Sequence, residues 1–311
     1  MSTRLCLMTV HAHPDDEASK GPATVARYHD EGVHTVLVCC TGGEEGDILN
    51  PAMDTAEVRA DIAAVRRREL DASVAVIGYD ELVMLGYRDS GMPGTPANER
   101  PGSFARAPLD EAVGRLVSVV RRTRPQVMVT YGDEQQGYPH PDHLRVHEIS
   151  VSAFDASGDP DAYPEAGAAF QPLKLYYVGW SAARILAMHA KFLELGLTSP
   201  FDDAWLERAR TQVLPYTTAI DIGDHADVRR NALLAHATQV DPTSPFWFGL
   251  PPEVARSVHP YDEYILARNL LGGLEGPAGE IRTWTGDDTA GGTAPAPESD
   301  LFAGVRDLAS R

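Results

Sequence analysis

The sequence predicts an α/β protein with a Rossmann-like, mostly parallel sheet, helices on both faces and a C-terminal α/β extension. Short apolar runs alternate with longer segments of helical spacing, and this alternation favours a parallel sheet. A polar loop follows each of the first four apolar runs, where an open α/β sheet binds its ligands. The composition, 43% hydrophobic and 23% charged over 311 residues, is typical of a globular protein.

In the first half of the chain, four apolar runs bounded by polar residues indicate buried strands. These runs are residues 4–10, 34–40, 82–85 and 126–131. The segments between them have helical spacing and end at a glycine or shortly before a proline, which are typical helix stop signals. The predicted helices are 22–31 before Gly32, 56–77 before Gly78, and 109–122 before Pro125.

The second half is less regular. Its predicted helices are 142–156, 182–195, 203–212 and 226–238, and its predicted strands are 174–178 and 217–222. Residues 272–300 are rich in Gly, Pro, Ala and Thr without an apolar period, which is typical of a loose segment. We expect a catalytic core over 1–160, a part of the same domain over 161–271 that completes the substrate pocket, and a loosely structured tail over 272–311, whose residues 301–308 recover enough apolar character to dock.

The charge balance narrows the class of partner. The chain has 27 Lys and Arg against 45 Asp and Glu, a formal net charge of −18, which argues against nucleic acid or an anionic membrane as partner. The first apolar run is too short for a signal-peptide core, and no stretch approaches the roughly 20 apolar residues of a membrane span. Three cysteines in apolar runs are expected to be reduced core thiols. We therefore expect a soluble, cytoplasmic protein.

Two clusters of His and Asp follow the first and fourth predicted strands, at residues 11–17 and 138–143. A parallel sheet brings both clusters to the same edge. Imidazole and carboxylate are ligands that suit zinc or ferrous iron. His13 and Asp16, three residues apart in a tight turn, can face one point, and His143 adds a third ligand. Two His and one Asp leave a coordination position open for water, which is the stoichiometry of a catalytic metal site.

Each cluster also has a simpler interpretation. Asp15 or Asp16 could cap the helix that follows, and Asp142 could cap the next one. His140 and His143 could both be ligands, or one of them could be a surface residue. The presence of two such clusters, each at the end of a predicted strand, favours the metal site.

The string Ala-His-Pro-Asp-Asp-Glu at 12–17, paired with His-Pro-Asp-His at 140–143, resembles the zinc-dependent N-deacetylases of the LmbE-like or PIG-L-like superfamily. Within it the likeness is greatest to the amidases of mycothiol S-conjugates, and next to the deacetylase of mycothiol biosynthesis. Lys20 and the string Asn-Pro-Ala-Met-Asp at 50–54 look like the amidase. The segment 88–92 looks more like the deacetylase, and Asp47 stands where a longer Glu is usual.

The resemblance implies one zinc ion per chain, with Fe²⁺ as the alternative. The ligands that it implies are His13, Asp16 and His143. It makes Asp15 the general base, and it makes His140 and Tyr138 the groups that stabilise the oxyanion. Asp142 would orient a protonated His140. Zinc lowers the pKa of bound water from about 15.7 toward about 7, and an adjacent carboxylate can accept the proton.

For the substrate, the resemblance suggests that Asp47, Arg66 and Asp89 bind sugar and inositol hydroxyls. Arg66 lies in a run of three arginines on a predicted helix, and such runs are usually solvated. Asp89 could equally belong to a turn after a strand. Lys20 could hydrogen-bond the acyl-cysteine end of a substrate or point into solvent.

The function implied is hydrolysis of the amide between S-substituted N-acetylcysteine and glucosaminyl-inositol in mycothiol S-conjugates, a detoxification step that releases a mercapturic acid. One alternative is deacetylation of N-acetyl-glucosaminyl-inositol, and another is the trimming of a mycothiol-derived conjugate in an antibiotic pathway. A protein that binds a metal without catalysis is disfavoured. Asp15 and His140 are both present, and they would be needed for proton transfer but not for metal capture. A two-metal phosphoesterase would need a bridging carboxylate and further ligands. His225 and His236 stand alone and are expected to be structural, or at most part of a pocket wall.

Overall fold

A seven-stranded mixed sheet organises the computed structural model, which describes residues 4–133, 138–211, 214–271 and 298–309. The strands are Cys6–His11 (β1), His34–Thr41 (β2), Glu81–Tyr87 (β3), Val127–Thr130 (β4), Lys174–Gly179 (β5), Thr218–Asp221 (β6) and Tyr261–Asn269 (β7). Their order is β3-β2-β1-β4-β5-β7-β6. Strands β1 to β5 pair in parallel, whereas β7 lies antiparallel between β5 and β6. The predicted fold class is confirmed.

Helices cover both faces of the sheet. They are Asp16–Ser19 (α1), Pro22–Asp30 (α2), Ala56–Ala60 (α3), Ile62–Ile77 (α4), Leu109–Thr123 (α5), Pro141–Ala156 (α6), Ala182–Glu194 (α7), Asp203–Thr211 (α8), Ala226–Ala235 (α9), Pro245–Phe248 (α10), Pro252–Val258 (α11) and Val305–Ala309 (α12). One apolar core contains buried residues of α5 and α6, and the other contains buried residues of α2, α4 and α9. Among the described residues, every helix is too short or too polar to cross a lipid bilayer.

The helix predicted over 56–77 is interrupted. Asp61, with φ of −142°, ends α3 and precedes α4, so the chain breaks the helix after its first turn. Thr55 caps α3 by accepting a hydrogen bond from the Val58 amide at 3.3 Å. Gly78 ends α4 with φ of 89°, as the helix stop signal predicted.

Strand β7 is the main element that the sequence patterns did not predict. It carries Asp262 and Glu263 in its interior, and these charges interrupt the apolar pattern that marks a strand. Both carboxylates are buried, and each has a partner. Asp262 accepts hydrogen bonds from Thr24 and pairs with Arg229, while Glu263 accepts a hydrogen bond from the Ser181 amide at 3.1 Å. Partners from distant segments therefore permit a strand that local composition does not predict.

The end of the chain packs against the sheet. Leu301, Phe302 and Val305 are buried in the apolar core beside Tyr28, whose hydroxyl accepts a hydrogen bond from the Leu301 amide at 2.7 Å. Glu298 forms an isolated bridge beside β6. Residues 272–297, most of the predicted loose tail, lie outside the described residues, and the proposed division of the chain at 160 and 271 stays a prediction.

Candidate metal centre

The turn after β1 brings His13 and Asp16 together. The amide of His13 donates a hydrogen bond to Asp16 Oδ2 at 3.0 Å, which closes the turn. Asp15 between them has a φ of 116°, a conformation that non-glycine residues rarely adopt. The carboxylate of Glu17 accepts the Asp15 amide at 2.9 Å. Backbone strain of this kind persists only where the surrounding contacts impose it, and it is common at functional sites.

Helix α6 begins at the other cluster and carries His143 to the same place. Asp16 Oδ2 lies 3.4 Å from His13 Nδ1 and 3.4 Å from His143 Nε2. The ligand atoms of these three buried residues all lie within 4.8 Å of one another. Two imidazole nitrogens and one carboxylate are a donor set that suits zinc or ferrous iron. This buried His/Asp/His group could therefore hold a metal ion.

The other ring nitrogen of His13 faces a second carboxylate. Asp142 Oδ2 lies 3.2 Å from His13 Nε2 and accepts the Ser90 amide at 2.9 Å. The Ser90 hydroxyl bonds the second oxygen of Asp142. Burial by itself would lower the pKa of His13, but the hydrogen bonds to Asp142, Asp16 and Asp89 outweigh it and raise the pKa well above its usual value. A carboxylate on the second nitrogen of a ligand histidine sets the ring orientation.

His140 differs from expectation in its partner. Its Nδ1 accepts the main-chain amide of Asp142 at 3.2 Å, whereas the Asp142 carboxylate is bound to Ser90 and lies against His13. Burial and the neighbouring His13 lower the pKa of His140 to about 4. The ring is therefore neutral at pH 7, and its proton is on Nε2 because Nδ1 is the acceptor. The sequence had predicted a protonated His140 held by the Asp142 carboxylate.

His140 and Tyr138 stand beside the His/Asp/His group. The His140 ring centroid lies 4.6 Å from that of His13 and 5.4 Å from that of His143. The ring of Tyr138 lies 5.7 Å from that of His143, and 53% of this tyrosine is exposed. Both side chains line the same cavity as the metal-binding group.

Asp15 is paired with Arg66. The guanidinium lies 2.9 Å from Asp15 Oδ2, and it also bonds the carbonyls of Pro14 and Gly43. Arg66 is buried although its run of three arginines suggested a solvated face. Burial raises the pKa of Asp15 against the opposing charge of Arg66, and the nearby carboxylate of Asp16 adds to the increase. Sequence periodicity did not reveal this contact because it joins α4 to two separate loops.

A buried network below the turn was also missed. His236 Nε2 lies 2.5 Å from Glu17 Oε1, and the Ser73 hydroxyl donates to the same oxygen at 2.6 Å. The other oxygen of Glu17 holds the Asp15 amide. The only sequence signal for Glu17 was its place at the end of the His/Asp cluster at 11–17. His236 had no such signal and was expected to be structural, or at most part of a pocket wall.

The His/Asp/His group lies in a cavity of about 980 Å³. Every site residue predicted from the sequence lines it except Asp142, which lies behind His13. Lys20 pairs with Asp16 and lies 5.3 Å from the centre of the Tyr131 ring. Asp89 accepts the amides of Gly91 at 2.8 Å and of Glu45 at 3.2 Å. Asp47 also lines the cavity, so the four predicted substrate-binding residues share one space with the metal-binding group.

Another part of the cavity is aromatic and was not anticipated. Its side chains, which we call the aromatic wall, are Trp180, Trp205, Phe246 and Trp247. Trp180 directly follows β5, the neighbour of β4 in the sheet. The position of Trp180 after the end of a strand was the only sequence signal for this part of the cavity. The other three side chains lie on α8 and α10, which are distant in sequence and reach the cavity only through tertiary packing.

Comparison with known proteins agrees with this architecture. Residues 8–154 match the PIG-L family, described as GlcNAc-PI de-N-acetylase. A Streptomyces coelicolor protein named mycothiol S-conjugate amidase is 43% identical over 99% of this chain and all of that protein. A Geodermatophilus obscurus protein named 1D-myo-inositol 2-acetamido-2-deoxy-alpha-D-glucopyranoside deacetylase is 38% identical over 96% of this chain and 97% of that protein.

Solved structures show the same fold at low sequence identity. The N,N'-diacetylchitobiose deacetylase of Pyrococcus horikoshii matches with a TM-score of 0.57 and 16% identity over 86% of this chain and 85% of that one. A conserved protein of Thermus thermophilus matches with a TM-score of 0.54 and 22% identity over 86% of this chain and 96% of that one. On the full-length sequence matches and the family motifs that surround its buried His/Asp/His group, the chain belongs to the PIG-L family of de-N-acetylases.

Proposed function

We propose that this protein is a zinc-dependent amidase that hydrolyses the amide between S-substituted N-acetylcysteine and glucosaminyl-inositol in mycothiol S-conjugates. The observation that carries the proposal is the large cavity that joins the His/Asp/His group to the aromatic wall. Ligand cavities span about 300–1,000 Å³, so this one can take a much larger acyl group than acetyl. The name of the 43% identical relative supports the same substrate.

The residues of the chain divide the chemistry between them. His13, Asp16 and His143 would hold the zinc ion, which when bound would supply Lewis acidity for the water and for the amide carbonyl. Asp15 accepts the proton of the attacking water and passes it to the leaving amine. Arg66 orients this carboxylate through their ion pair. The amide carbon thus gains a water oxygen and loses the glucosamine nitrogen.

The carbonyl oxygen of the scissile amide becomes negative during this attack and needs a hydrogen-bond donor. Neutral His140 can donate from Nε2, since its Nδ1 is occupied by the Asp142 amide. Tyr138 adds a hydroxyl from the mouth of the cavity. The loss of one such donor typically lowers the rate by about 10²–10³. We assign Asp142 to the orientation of His13, because its carboxylate contacts that ring.

On the sugar side we assign Asp47 and Asp89 to hydroxyl groups, since both line the cavity. Asp89 already accepts two main-chain amides, so its position is well defined for this purpose. Lys20 lies between Asp16 and Tyr131 and would contact the acyl-cysteine end. The role in detoxification and the cytoplasmic location stay predictions.

A second candidate is the deacetylation of N-acetyl-glucosaminyl-inositol. It is favoured by the deacetylase named above, which is 38% identical over 96% of this chain. The segment at 88–92 also resembles the deacetylase. The two reactions share the metal chemistry and the sugar, and they differ only in the size of the acyl group.

The test compares both substrates on one preparation. Zinc-loaded protein is incubated with the bimane conjugate of mycothiol and, separately, with N-acetyl-glucosaminyl-inositol. We expect release of the bimane mercapturate with a kcat/KM at least tenfold above that for deacetylation. No mercapturate, or the reverse preference, refutes the proposal. Lys20→Ser should lower the preference for the conjugate, and metal analysis of anaerobically purified protein distinguishes zinc from iron.

A further inference from the structure

Three of the four tryptophans of the chain line the cavity that holds the metal-binding group. Trp180 follows β5, Trp205 lies on α8, and Trp247 lies on α10 beside Phe246. None of the four side chains of the aromatic wall is fully buried, so the wall is a surface of the cavity and not a closed core. Large aromatic side chains that remain accessible inside a cavity are typical of a ligand subsite.

The wall has a defined geometry. The rings of Trp180 and Phe246 are nearly parallel, with an interplanar angle of 7° and centroids 5.4 Å apart. Trp247 stands edge-on to both, at centroid distances of 5.7 Å and 4.7 Å. Trp205 closes the cluster, 6.0 Å from Phe246. The Arg184 guanidinium also lies over the Trp180 ring, 4.6 Å from its centroid. The wall therefore offers a flat group the accessible parts of several aromatic rings.

A separate apolar cluster supports the aromatic wall. Ile185, Phe201 and Leu206 are buried in a third apolar cluster, distinct from the two cores that flank the sheet. Trp180, Trp205 and Phe246 pack against this cluster. The wall is thus held by α7 and α8, and it does not depend on a bound ligand for its position.

We propose that the aromatic wall binds the S-substituent of the conjugate and makes the enzyme prefer planar aromatic substituents. The inference rests on the proposed amidase function. The scissile carbonyl must lie at the His/Asp/His group, and the sugar hydroxyls match the carboxylates of Asp47 and Asp89. The cavity has other apolar lining residues, such as Leu49, Met92 and Val178, but the wall is its tryptophan-rich cluster. The S-substituent is the remaining part of the substrate.

The test uses a matched pair of substrates and a matched pair of variants. The substrates are the bimane conjugate of mycothiol, which is planar, and S-methyl mycothiol. Phe246→Leu removes a ring of the wall, whereas Phe248→Leu removes a ring from the same short helix that does not line the cavity. Circular dichroism verifies that both variants are folded.

We expect wild-type protein to favour the bimane conjugate by about tenfold in kcat/KM. Phe246→Leu should reduce that preference by roughly 3- to 10-fold, mainly through KM, as expected for the loss of one aromatic contact. Phe248→Leu should leave the preference within twofold. If Phe246→Leu lowers kcat/KM equally for both substrates, or if wild-type protein shows no preference, the proposal is overturned.

A binding measurement separates this proposal from the proposed function. Asp15→Asn protein, in which turnover is expected to be slowed by about 10²–10⁴, is titrated with each conjugate by calorimetry. The bimane conjugate should bind about tenfold tighter than S-methyl mycothiol, and the addition of Phe246→Leu should remove most of that difference. Equal affinities refute the subsite even if wild-type protein is an amidase. A clear difference supports the subsite even if wild-type protein releases no mercapturate, in which case the proposed function alone fails.

Discussion

The buried pair of His236 and Glu17 is expected to be a major contributor to stability. His236 is fully buried, and its Nε2 lies 2.5 Å from Glu17 Oε1. His236→Leu would leave the Glu17 carboxylate buried without its cation, a change that typically costs about 3–5 kcal/mol. Glu17 would keep its hydrogen bonds from Ser73 and from the Asp15 amide, so we expect the lower end, about 3 kcal/mol.

Equilibrium unfolding in urea, followed by far-UV circular dichroism, measures this loss. With an m value near the upper end of the usual range, about 3 kcal/mol per molar, the midpoint should fall by about 1 M. His225→Leu is the matched control, because His225 pairs with Asp30 at 2.9 Å on the surface. An exposed pair contributes about 0–1 kcal/mol. If His236→Leu costs no more than His225→Leu, the reasoning is wrong.

The stability that the His236–Glu17 pair contributes should decrease as the pH rises. Burial by itself would lower the pKa of His236, but the Glu17 carboxylate outweighs it and raises the pKa above the ordinary value of 6.5. The stability from a raised histidine pKa is complete below the unfolded value and is lost as the pH rises through the folded value. The difference between wild type and His236→Leu should therefore be largest near pH 6 and should decrease at alkaline pH.

Three further changes test the centre. Asp15→Asn should lower kcat by about 10²–10⁴ because the general base is lost. The metal content should stay unchanged, since asparagine tolerates the positive φ at this position. A rate within a few-fold of the parent would exclude Asp15 as the base. His143→Ala should lower the metal content per chain measured by mass spectrometry, and full occupancy would exclude it as a ligand. Gly43→Ala should cost about 1–3 kcal/mol and lower kcat, because its Cβ would overlap the Arg66 guanidinium. Gly32→Ala also has positive φ but meets nothing within 4 Å, so it measures backbone strain alone.

The local patterns of the sequence predicted most of the first half of the fold. Apolar runs of strand length and helices with glycine or proline stops predicted β1 to β4 and the helices between them, since these signals depend on neighbours in the chain. The pattern failed at β7, where the buried carboxylates of Asp262 and Glu263 accept hydrogen bonds from distant segments. It also failed to place the break at Asp61, because helical spacing continues through that residue.

By itself, the sequence determined that the two His/Asp clusters meet, because parallel strands place their carboxyl ends at one edge of the sheet. Only the tertiary structure decided which atoms face one another. The Asp142 carboxylate lies 3.2 Å from His13 Nε2, whereas His140 binds the Asp142 main-chain amide. Arg66 is buried against Asp15. The aromatic wall likewise depends on packing between segments far apart in the chain. Strand positions follow from local periodicity, whereas side-chain partners depend on the directions that packing imposes on elements that are not adjacent in sequence.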